Sequence, residues 1–237
     1  MINFTRLDVG VAYRDARTRI VECVAGLTPT QWEQRVPHCP AWTVRETLAH
    51  LAGVADDGIN GNMEGVASDP WTAAQVAKRA DLSGPDIVAE WQFSGPFVDG
   101  RATELGLSLA QLIFDTVTHE HDMRFALNAP GARESDGMLV ALAFVSRVLP
   151  TSAANAGIGL QVLIPDPSST GVVHALPSVA SAKSLRPLTL RTTLFDFVRM
   201  SGSRRSEEQV RAMNWSDDPT PILSLLPFAL PNISLPE

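Results

Sequence analysis

Helix-opening signals recur along the first part of this chain, and they limit its fold more than any other feature. Thr28-Pro29 puts a capping hydroxyl before a proline at the first helical position. Thr43-Val-Arg-Glu46 has the capping-box pattern, in which each side chain satisfies an orphan amide at the helix start. Asp69-Pro70 repeats the cap-plus-proline signal. Within 4–25, Leu7, Val11, Ile20, Val21 and Val24 return among charged residues, so one face is apolar. Helices are predicted over 4–25, briefly through Trp32, over 43–59, over 69–79, over 84–105 with a break at Ser94-Gly95-Pro96, over 108–127 and over 135–149. VPHCPAW, with two prolines close together, reads as an extended loop. Near residue 156 the texture changes. LQVLIPD, VVHAL and PLTLRTT are short and β-rich, separated by Pro, Ser and Gly. Helices at 193–200 and 206–214 follow, and a last one begins near Pro219. The expected fold class is α+β, mainly α, with a helix bundle over 1–155 and a small α+β domain over 156–237.

The composition sets what such a fold can be used for. With 237 residues, 45 % of them hydrophobic, the chain can bury a sizeable core without disulfides. Cys23 and Cys39 are the only cysteines, which is too few for a disulfide framework and fits a reduced, cytoplasmic protein. A formal charge of -7 gives no basic footprint for nucleic acid and no attraction to anionic lipid. The first twenty residues have scattered charges and no apolar core of the kind a signal peptide needs. The longest apolar run, MLVALAFVSRVL, is broken by Ser146 and Arg147 and is expected to be too short to cross a bilayer.

Chemistry is concentrated on two of the predicted helices. On 108–127, Asp115, His119 and Asp122 share a stripe at i, i+4 and i+7, with Leu109, Leu112 and Met123 on the adjoining apolar side. A bare carboxylate beside a core is costly, and a metal ion removes that cost. On 43–59, Glu46, His50 and Asp57 share a stripe, and His50 lies mid-helix in LAHLAG. If the two stripes face each other, His50, Asp115 and His119 make a three-ligand set with positions left open for water or substrate. Zinc fits two imidazoles and a carboxylate, as do Fe2+ and Ni2+. A solvated ion pair between Asp115 and His119, and a satisfied core histidine at His50, explain the same spacings without a metal. Glu46 is assigned to the capping box and Asp122 to a supporting contact with His119. His121 points roughly 200° away from His119 and is expected at the surface. His38-Cys39 is a weak ligand pair, and His174, alone on a predicted strand, is expected to be structural.

Two of these segments, with a third, carry a family resemblance. VPHCPAWTVRETLAHLAG resembles the entrance to the second helix in the mycothiol-dependent maleylpyruvate isomerase family, within the DinB-like superfamily. FDTVTHEHDMRFAL resembles that family's later metal helix: a carboxylate, three residues, His, two residues, Asp. FDFVRMSGSRRSEEQVRAMNWSDDP resembles its small second domain. The resemblance implies a DinB-like four-helix bundle binding a divalent metal through His50, Asp115 and His119. It also implies a cosubstrate, mycothiol or a similar thiol, attacking a small electrophilic substrate, and a cationic residue of the second domain, here Arg204 or Arg205, holding an acidic group. The isomerase has glutamate where this chain has Asp115, one methylene shorter, so the reaction stays open. The expectation is a metal-dependent thiol transferase or isomerase. A non-catalytic metal-binding DinB-like protein and a metal-dependent hydrolase are the alternatives.

Overall fold

Asp8 opens the first long helix: its carboxylate accepts from the amides of Gly10 (2.9 Å) and Val11 (3.1 Å). The computed structural model describes residues 4–165, 173–175 and 187–237. Its helices up to Gly131 are α1 (Val9–Val24), α2 (Pro29–Trp32), α3 (Val44–Asn60), α4 (Asp69–Lys78), α5 (Gly84–Leu105) and α6 (Ala110–Ala126), with strands β1 (Arg35–Val36) and β2 (Cys39–Thr43) before α3. Helices α1, α5, α3 and α6 touch in that cyclic order and form a four-helix bundle.

The caps explain where these helices start. The Thr28–Gln31 and Thr43–Glu46 capping boxes are both formed. Helix α3 ends on Gly61, whose φ of 74° supplies the left-handed turn. Helix α4 is capped by Ser68, one residue before the Asp69 expected from the sequence.

Two glycines let α1 and α5 approach closely. A Cβ on Gly10 would lie 2.1 Å from the carbonyl oxygen of Asp99, and one on Gly95 would lie 1.7 Å from Arg17 Nη1. The Arg17 guanidinium donates to Asp99 at 2.6 Å across the same seam. Buried Trp91 donates from its indole to the Tyr13 hydroxyl at 2.9 Å, with the rings edge to face. On the other side of α1, Arg19 makes a two-point contact with buried Glu120 of α6 at 2.9 and 2.8 Å, and Arg124 adds a third at 3.0 Å.

Several expectations are corrected here. The break at Ser94-Gly95-Pro96 does not occur. Helix α5 runs through Pro96, because its packing against α1 and α3 outweighs the lost amide bond and the ring's clash with the preceding turn. VPHCPAW is not a loop: Val36 pairs with Cys39 and Arg35 with Thr43 in a short antiparallel ladder. The first helix starts at Val9, after a 3-10 turn over Phe4–Arg6.

By contacts the chain divides into Asp8–Gly131 and a second unit of Met1–Leu7 with Ala132–Glu237. The second unit contains α7 (Asp136–Asn155), β3 (Leu160–Pro165), β4 (Val173–Ala175), β5 (Leu188–Arg191), α8 (Leu194–Ser201), α9 (Glu207–Arg211), β6 (Asn214–Trp215) and α10 (Thr220–Leu223). Its sheet has the order β4-β3-β5-β6, with β3 and β5 parallel and the outer pairs antiparallel. Val172 and Leu176, at the ends of the predicted VVHAL strand, lie outside the described residues. The contact boundary falls at Gly131 rather than near 155, since α7 packs on α8 and β3. Helix α7 also corrects the reading of its apolar run. It has 20 residues, and an 18-residue window has a mean hydropathy of 1.5, so by length and composition it can span a bilayer. In this structure 61 % of that window is buried. The predicted helix 206–214 ends at Arg211, and Asn214–Trp215 joins the sheet beside β5 instead.

Candidate metal centre

The bundle brings α3 and α6 side by side, and with them His50, Asp115 and His119. His50 Nε2 is 3.2 Å from Asp115 Oδ2, and His119 Nε2 is 3.6 Å from Asp115 Oδ1. One ligand atom from each residue lies within 4.8 Å of the others. Both histidines are buried, whereas the Asp115 side chain is 35 % exposed, so the cluster opens to one side.

The outer nitrogens of the two rings have different partners. His119 Nδ1 lies 3.1 Å from Asp122 Oδ2, and that carboxylate is fully buried. A carboxylate has no proton to give, so Nδ1 is the protonated nitrogen and the Nε2 lone pair faces Asp115. Asp122 also accepts from the Cys39 thiol at 3.3 Å. His50 Nδ1 lies 2.8 Å from Gln75 Oε1, on α4. His50 likewise donates from Nδ1, here to the Gln75 amide oxygen, and its Nε2 faces Asp115. Burial pushes the His119 pKa below the usual histidine value, against the opposing pull of Asp122 and Asp115. A neutral imidazole is the form that binds metal. Two imidazole Nε2 atoms and a carboxylate therefore meet at one partly open point, and with both rings neutral this donor set suits a divalent cation.

Trp42 forms a wall beside the cluster. Its ring centroid lies 5.1 Å from His50 and 5.6 Å from His119. Trp42 and Gln75 carry no metal-ligand signature in the sequence. Trp42 is placed by the β2 ladder just before the Thr43 cap, and Gln75 is one polar residue in WTAAQVAKRA. Cys39, read as part of a weak pair, reaches the site through Asp122 and forms a second close group with His119 and Asp122. Glu46 serves the cap, donating nothing to the cluster: it accepts from the Thr43 amide at 2.7 Å. The placement of His121 at the surface is corrected. It is 4 % exposed, because α6 is buried on all sides from Thr116 to Met123. His38 is likewise buried, its ring edge to face with Phe125 at 4.7 Å. His174 lies on β4, opposite Ile164.

Arg204 and Arg205 belong to the second unit. Arg204 donates to the Gly202 carbonyl at 2.9 Å. Arg205 pairs with Asp196 at 2.9 Å and with Glu237, and lines an open cavity of about 440 Å³ with Arg191 and Thr193.

The family model described as the mycothiol maleylpyruvate isomerase N-terminal domain matches residues 13–124, a span that contains His50, Asp115 and His119. Among solved structures, the chain is similar to that of the mycothiol-dependent maleylpyruvate isomerase, with 15 % identity and a TM-score of 0.58. A histidine-to-alanine mutant of that isomerase gives 15 % identity and a TM-score of 0.60. Each comparison covers 91 % of this chain and 96 % of the other. At that identity the likeness is one of fold. No curated protein is a significant match in sequence. Over residues 13–124 this chain is therefore similar to the mycothiol maleylpyruvate isomerase N-terminal domain family.

Proposed function

We propose that His50, Asp115 and His119 bind one divalent metal ion, and that the protein is a metal-dependent thiol-utilising transferase or isomerase. Mycothiol or a similar thiol is its cosubstrate, and a small electrophile is its substrate. The observation that carries this reading is the convergence of two Nε2 atoms on the Asp115 carboxylate, with both Nδ1 atoms turned outward to acceptors. A metal held by these three residues would supply Lewis acidity that favours the thiolate, the nucleophilic form of a thiol. Zinc is the metal we favour, and Ni2+ and Fe2+ suit the same donors.

The remaining roles fall to the chain itself. Burial keeps His119 neutral and ready to ligate. Trp42 covers the histidine rings and keeps water from that flank. The exposed side of Asp115 leaves an approach for a thiol. Arg204 and Arg205 remain the candidates for holding an acidic substrate. The cavity beside Arg205 supports this, although Asp196 and Glu237 already balance part of its charge.

Titration calorimetry of mycothiol into zinc-loaded protein tests the proposal. It should show heat of binding, and the bound thiol should resist alkylation. Absence of both with zinc still bound would leave a metal-binding protein without thiol chemistry. A thiol-independent ester cleavage that is lost on chelation would assign a hydrolase instead.

A further inference from the structure

Gln75 is 2 % exposed and touches His50, yet it is not a metal ligand. Its amide nitrogen donates to Asp57 Oδ2 at 2.8 Å, and its amide oxygen faces His50 Nδ1, also at 2.8 Å. The direction of this chain of bonds is forced. The Asp57 carboxylate can only accept, so the amide end facing it is the NH2 end. The oxygen must then face His50, and His50 must carry its proton on Nδ1. The route to His50 exists because residue 53 is glycine. A Cβ there would lie 2.5 Å from Gln75 Cβ and 2.7 Å from its Cγ.

We propose that Asp57 and Gln75 form a relay that fixes the tautomer and orientation of His50, with Gly53 as the gap that admits Gln75. The metal part of this inference rests on the ligand set proposed above; the tautomer part does not. Without the relay, the His50 proton moves to Nε2. There it can donate to Asp115 Oδ2, 3.2 Å away, and it occupies the lone pair a metal would use. Gln75 is thus a positioning residue acting through His50, of the kind whose loss typically weakens metal binding roughly 10- to 100-fold.

Nitrogen-15 NMR of the histidine side chains in the metal-free protein reads the tautomer directly. Chelator competition reads zinc affinity. The wild type should show His50 protonated on Nδ1. Gln75→Leu, close in volume, should shift the proton toward Nε2 and weaken zinc binding roughly 10- to 100-fold. The double variant Asp57→Asn with Gln75→Glu exchanges charge and amide between the two positions; the bond between them reverses, but residue 75 still presents an acceptor oxygen to His50 Nδ1, and the variant should restore both readouts. An unchanged tautomer with zinc affinity within about twofold of wild type in Gln75→Leu would overturn the relay. So would failure of the double variant to restore an Nδ1 proton, should the single variant not fold. A wild type that binds no zinc yet shows the fixed tautomer would overturn the proposed function and leave the relay standing.

Discussion

Replacing Asp122 by asparagine removes a charge and almost no volume, which isolates the electrostatic support of His119. Asp122 is fully buried, 3.1 Å from His119 Nδ1, and also accepts from the Cys39 thiol. A hydrogen bond to a charged acceptor contributes about 1.5–3 kcal/mol, and one between neutral groups about 0.5–1.5 kcal/mol. The expected loss from Asp122→Asn is therefore about 1–1.5 kcal/mol of metal binding, or roughly five- to tenfold in affinity. Asp122→Ala removes the acceptor altogether and should reach roughly 10- to 100-fold. Competition with a chelator of known zinc affinity at neutral pH measures both. If both variants bind zinc within about twofold of wild type, His119 does not depend on Asp122 and the argument from its Nδ1 proton fails.

Gly10→Ala should destabilise the protein by about 3 kcal/mol in denaturant unfolding, because its Cβ meets the Asp99 backbone at 2.1 Å and α1 must move off α5. A loss below about 1 kcal/mol would mean the two helices are not so close. Thr43→Ala removes the hydroxyl half of a capping box and should cost about 1 kcal/mol of stability while metal content stays unchanged. His119 has a folded pKa below its ordinary value of 6.5, so below that pH the unfolded chain binds more protons than the folded one. Its contribution to metal-free stability is therefore present above about pH 6.5 and is lost as pH falls toward the folded pKa. Unfolding midpoints between pH 7.5 and 5.5 should fall, and the fall should be shallower in His119→Asn.

Much of the bundle was legible because helix starts are local chemistry. Thr28, Thr43 and Glu46 act within four residues of themselves, so their side chains place the helix ends as the sequence predicts. The Asp115–His119 spacing and the mid-helix His50 were legible for the same reason. What tertiary packing decides was not. Pro96 reads as a breaker until α5 is seen packed against α1 and α3. His121 does point away from His119, but the opposite face of α6 is buried as well, so direction did not mean exposure. Gln75 reaches His50 across α4 and α3, a contact set by the absent side chain of Gly53 rather than by any motif. Helix α7 was assigned by its helical texture to the bundle, yet it joins the sheet through β3, a partner that lies later in the chain.

The central claim is that His50, Asp115 and His119 together hold one metal ion. Equilibrium dialysis against zinc followed by elemental analysis tests it most directly, with wild type beside His50→Ala, Asp115→Ala and His119→Ala. The prediction is about one zinc per chain in wild type, falling to a small fraction in each variant while the helical fold persists. Zinc remaining near one per chain in His119→Ala, or absent from the folded wild type, would contradict it.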